Sequence, residues 1–191
     1  MIVGTCALVL GADAAQAAFE FGTAPKLPTL SAATLNGKAL TVNTTMTNFS
    51  VTDTRGTKSG WNITVVGQSG AGKSALFAQY CPKATCGTDA EGYVTAGQKM
   101  AANSLTLNST GAKFTGAGTA PTLSCSAGCK VDTATAVKVA SAATGGAGES
   151  TWTTTGFSAT SLALAVPTTL RALKNEEVYR VNILWTLATG P

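Results

Sequence analysis

Histidine is absent from the 191 residues. With it go the commonest general base at neutral pH, the usual partner of a serine or cysteine nucleophile, and the commonest zinc ligand. Charge is scarce as well. Asp, Glu, Lys and Arg make up 12% of the chain, and the net charge of +4 is spread without a basic run. That distribution leaves no electrostatic footprint for nucleic acid, and no nucleic-acid partner is expected. The carboxylates do not form a catalytic pair either. Glu176 and Glu177 are adjacent, so on a strand they face opposite ways and cannot flank one glycosidic bond. Asp89 and Glu91 share a face at most within an irregular stretch. No catalytic residue, cofactor or metal is expected. The chain reads as a non-enzyme.

What the chain does hold is Thr, Ala, Gly, Ser and Val in abundance. Thr and Val crowd a helix at χ1 but sit well on a pleated surface, so the composition is that of an all-β domain. A length of 191 residues fits one domain of ordinary size. The first segment reads as a signal. Ile2–Gly11 is an apolar core followed by Ala15-Gln16-Ala17, a small-x-small cleavage site, and it is too short to span a bilayer. No Lys or Arg precedes that core. The start codon is therefore expected upstream, unless the amino terminus alone supplies the charge. Cleavage would begin the mature chain at Ala18 and remove Cys6 and Asp13. Residues 1–17 are thus read as signal and 18–34, with Pro25 and Pro28, as an extended arm or leading strand.

Four cysteines remain, the even number expected of an exported, oxidised protein. They allow three connectivities. The close spacings C-P-K-A-T-C and C-S-A-G-C favour two local loops, Cys81–Cys86 and Cys125–Cys129, which are staples more than a framework. A four-cysteine zinc site is the competing reading.

Gly67-Gln68-Ser69-Gly70-Ala71-Gly72-Lys73-Ser74 matches the phosphate-binding loop G-x-x-x-x-G-K-[ST] at every position. Such a loop needs a helix behind it and a second apolar strand ending in an acidic residue for magnesium. A short helix is expected over Ser74–Tyr80, but Cys81-Pro82 cuts it off. No downstream β-α-β unit follows. The octamer is read as a small-residue surface loop in an irregular or helical insertion, and no nucleotide is expected.

Elsewhere, strands are expected at 38–43, 46–53, 61–66, 104–107, 131–140, 152–155, 157–166 and 178–188, with one helical turn at 170–174. Short strands punctuated by Gly and Pro suggest a β-sandwich. In the last of them Tyr179, Val181, Ile183, Trp185 and Leu187 alternate onto one face. A matching piece, Trp61-Asn62-Ile63, follows Asp53-Thr54-Arg55-Gly56.

These two Trp-x-aliphatic elements resemble the WxL domain of Gram-positive surface proteins: one follows D-x-R-G, and the other closes as Y-x-x-x-I-L-W-T-L before Gly190-Pro191. The resemblance runs from about Leu35 to Pro191, with Ile63 where the family writes Leu. It implies a β-rich domain at the cell surface that attaches non-covalently to the wall, with peptidoglycan as ligand. Other surface proteins are the alternative partners. The residues carried over are Trp61, Ile63, Trp185 and Leu187. Each Trp fits either a sugar-stacking surface or a core. Asp53 and Arg55 either orient a glycan group or clamp one another. Trp152, in the polar run Ser150–Thr154, is the tryptophan expected to stand exposed for stacking.

Overall fold

Alternation of β-branched with polar residues produces strands throughout a computed structural model that describes residues 17–174 and 176–191. The expected signal, all but Ala17, lies outside the described residues. In chain order the first eight strands are β1 (Phe19–Thr23), β2 (Leu40–Thr44), β3 (Ser50–Asp53), β4 (Trp61–Gly67), β5 (Ala78–Cys86), β6 (Asp89–Tyr93), β7 (Leu105–Leu107) and β8 (Lys113–Thr115). They are followed by β9 (Thr122–Leu123), β10 (Cys129–Lys130), β11 (Val137–Ala142), β12 (Ser150–Thr155), β13 (Leu162–Val166), β14 (Val178–Arg180) and β15 (Ile183–Thr189). All pairings are antiparallel. The sheets run β1-β3-β12-β8, β10-β7-β13-β2, β15-β4-β11-β9 and β14-β5-β6.

The inner faces of the three four-stranded sheets enclose one core. Val51, Phe114 and Trp152 come from the first, Leu105, Leu162 and Leu164 from the second, and Trp61, Ile63 and Val65 from the third. The all-β, sandwich-like reading therefore holds. Both local disulfides are present, Cys81–Cys86 and Cys125–Cys129, which removes the four thiolates a zinc site would need.

Two expectations are corrected. Ser74–Tyr80 is not helical. Phe77 is buried in the core, and from Ala78 the chain is strand β5, hydrogen-bonded to β14 on one side and β6 on the other. Two ladders satisfy more backbone than a helix truncated before Pro82 could. Residues 170–174 make no helical turn; a turn at Pro167–Leu170 precedes them, with the Leu170 amide donating to Pro167 O at 3.3 Å. Of the two alternatives for 18–34, the leading strand holds for Phe19–Thr23, which pairs with β3, and the chain after it runs as an extended segment to β2.

Candidate functional site

The two Trp-x-aliphatic elements lie side by side. β15 pairs with β4 in the register Trp185↔Val65, Leu187↔Ile63 and Thr189↔Trp61, which puts both elements on one inward face. Trp61 and Ile63 are wholly buried, while Trp185 and Leu187 are half-buried against the same core. The Trp61 indole N–H donates to Gly148 O at 3.1 Å. Its ring meets Phe114 edge-on at 5.9 Å, and Phe114 meets Phe49 at the same spacing. Trp185 completes the run at 6.5 Å from Phe49. The surroundings are moulded to the indole: a Cβ at Gly148, whose φ is +72°, would stand 2.5 Å from Trp61 Nε1. In this fold the motif is the seam of the sandwich.

Asp53 and Arg55 form a clamp. Arg55 Nη2 donates to Asp53 Oδ2 at 2.8 Å and Nε to Oδ1 at 2.9 Å. Arg55 Nη1 donates to Thr189 Oγ1 at 2.6 Å, and the guanidinium lies 3.5 Å from the centre of the Phe19 ring. One side chain thus joins β1, β3 and β15. The hydrogen bonds from Arg55 hold the Asp53 carboxyl below the usual range, against its desolvation. With every strong donor engaged, the pair is bound to its own fold.

Trp152 is 2% exposed, which overturns its reading as an exposed stacking residue. On β12 the alternation sends Thr151 and Thr153 outward and Trp152 and Thr154 inward. The Trp152 N–H donates to Glu149 O at 2.7 Å. The polar neighbours that suggested exposure occupy the opposite face.

The phosphate-loop octamer folds as a tight turn. Lys73 N donates to Gly70 O at 3.1 Å, with Gly70 and Gly72 at positive φ. No helix follows to present amides to a phosphate. The Ser74 hydroxyl, which would hold magnesium, donates to Leu76 O at 2.7 Å. Asn182, which the sequence did not single out, ties this loop down. Its Oδ1 accepts from Ser74 N at 3.2 Å and Tyr93 OH at 2.6 Å, and its carbonyl accepts from Gln68 N at 2.8 Å.

What the last two strands present to solvent is different. Tyr179, Val181, Ile183, Trp185 and Leu187 pack inward, as their alternation implies. Val178, Arg180, Leu184 and Thr186 point outward. The exposed large apolar side chains among the described residues are Val178 (45%) and Leu184 (42%), both on this face. Tyr80 lies opposite Val178, and Tyr93 lies opposite Tyr80. The two rings meet edge-on at 5.1 Å, with the Arg180 guanidinium 4.5 Å from the Tyr80 centre. Burial, foremost, pushes the Tyr93 phenol up, so it stays a neutral donor to Asn182. Val178 lies on β14 and Leu184 on β15, on either side of the break at Val181-Asn182. The face between them carries two tyrosines, one cation and one amide. The alternation already put Val178, Arg180 and Leu184 opposite the tryptophan. Tyr80 was hidden by reading 74–80 as helix.

Asp89 and Glu91, the acidic pair considered from sequence, stand two residues apart on β6 and so share a face of a regular strand. Partial loss of water, then the Glu177 carboxylate, push the Asp89 carboxyl up.

No curated protein and no solved structure matches the chain. A protein-family model described as "WxL domain surface cell wall-binding" matches residues 10–191. The match begins well before Leu35 and so takes in β1, the strand beneath Arg55. The chain belongs to the WxL domain family of surface, cell wall-binding domains.

Proposed function

We propose that this is an exported surface protein that attaches non-covalently to the cell wall by binding peptidoglycan, through the outward face of β14, β15 and β5. The observation that carries the reading is the pair Val178 on β14 and Leu184 on the reverse of the motif strand β15, both exposed, with Arg180 between them in the chain. Sugar rings offer apolar C–H faces between polar edges. Tyrosine rings and aliphatic side chains suit the first. A guanidinium suits the acetamido and carboxylate groups of the second. On this reading the tryptophans act indirectly: by filling the core they fix the strand whose other side meets the wall. The two disulfides and the apolar segment Ile2–Gly11 support export.

The test is sedimentation with purified peptidoglycan. The wild-type protein should pellet, and the double variant Arg180→Gln/Leu184→Thr should lose about tenfold or more in affinity with its melting temperature preserved. A wild-type protein that stays in solution with intact sacculi would sink the proposal.

A further inference from the structure

An apolar groove of about 790 Å³ opens beside β14, within the size range of small-ligand sites. Its floor is the β2–β13–β7 face, with Val42, Leu164 and Leu105, and Leu30 and Leu35 of the extended segment cover it. Glu177, Tyr179 and Arg180 line it from the β14 side.

Two features there are chemically incomplete. First, β14 is an edge strand. Gln79, opposite Tyr179, spends its N–H on Gln98 O and its carbonyl on Val94 N, both away from β14. By antiparallel alternation Tyr179 then turns its own N–H and C=O to the free edge. Among the described residues neither bonds to the neighbouring 170–174 segment. Second, Glu177 Oε2 accepts from Gln79 Nε2 at 2.9 Å, but its Oε1 is buried without a donor among the described residues.

A ligand that completes both is a short peptide with small apolar side chains and one ammonium. Free backbone groups on a strand edge are how an extended peptide is held. An acyl chain would use the floor but leave the edge and Glu177 unanswered. We propose that the groove binds the stem peptide of peptidoglycan. Its side-chain amine lies on Glu177, its amides on the edge at Tyr179, and its alanine methyls on the leucine floor. This rests on the wall reading above and names the part of the polymer that is recognised.

The probe is the soluble pentapeptide acetyl-L-Ala-γ-D-Glu-L-Lys-D-Ala-D-Ala, titrated into the full chain by calorimetry. A second peptide acetylated on the lysine amine is titrated in parallel. The first should bind saturably. Acetylation, or Glu177→Gln in the protein, should weaken it about tenfold or more, because each removes a charged hydrogen bond. If Glu177→Gln does not fold, the acetylated peptide makes the same comparison on the wild-type protein. Equal binding of the two peptides would overturn the assignment. So would pelleting with intact walls and no binding of the pentapeptide, which leaves the wall reading standing. Failure of both would end both. Tighter binding of an amine-free Thr-Leu repeat peptide would mean that the groove takes a protein strand instead.

Discussion

Replacing Trp61 by Ala separates a motif that touches the wall from one that builds the fold. The indole is fully buried, packs edge-on against Phe114 and donates to Gly148 O. Truncating a buried tryptophan costs about 3–5 kcal/mol, through lost burial and the cavity left behind. Domains of this kind hold only about 5–15 kcal/mol in total. For a chain of this length each kcal/mol shifts the midpoint by about 2–4 °C, so Trp61→Ala should melt roughly 6–20 °C early. Thermal or urea unfolding, followed by far-UV circular dichroism, measures that directly. Trp61→Phe should fall between, since it keeps an aromatic face toward Phe114 and loses the bond to Gly148. Sedimentation with peptidoglycan, run below every midpoint, then supplies the second axis. Trp61→Ala should still pellet while it remains folded, whereas Leu184→Thr should melt within about 0.5 kcal/mol of wild type and pellet poorly. A Trp61→Ala protein of wild-type stability that no longer pellets would refute the argument and make the tryptophan a contact residue.

The Asp53–Arg55 clamp should show in acid. The folded carboxyl is held below its unfolded value by Arg55, so its contribution is complete above the unfolded pKa of about 3.9 and is lost as pH falls through the lower folded value. Asp53→Asn should cost about 1–3 kcal/mol at neutral pH and flatten the melting temperature below about pH 4. A profile identical to wild type there would remove the clamp from the account. Lys73→Ala should change stability by no more than about 0.5 kcal/mol and leave wall sedimentation intact, since Lys73 is exposed on a tight turn. Loss of folding or of wall affinity would show that the octamer matters after all.

Much of this was legible in the chain, for reasons that can be named. Period-2 alternation in 178–188 placed the inward residues correctly, although the strand breaks at Val181-Asn182, where the chain passes from one sheet to another. Close cysteine spacing found both disulfides, since loops that short leave each half-cystine near its partner. The Trp61 strand was found to within a residue. What failed did so where tertiary pairing outvoted local preference. Leu76-Phe77-Ala78 suits a helix in isolation, but Tyr80 is held between Val178 and Tyr93, partners that no local window contains. Trp152 was misplaced because polarity was averaged along the run rather than read alternately. Thr154, its companion, is fully buried, and its hydroxyl lies 2.8 Å from Phe49 N and 3.1 Å from Phe49 O. The groove beside β14 has no sequence signature, because its walls come from stretches scattered between Leu27 and Val181.

The β4–β15 seam also bears on how the domain comes into being. Asn62 Nδ2 donates to Gly190 O, 128 positions away, so the central sheet stays open until the most distant strand has arrived. Ordering so long a loop must precede the contacts that reward it, which makes folding slow and the final step a late one. Until that closure Trp61–Gly67 keeps a bare apolar edge, the kind of surface on which nascent chains stick to one another. A clipped C-terminus would therefore leave a half-built, adhesive intermediate rather than a smaller working domain.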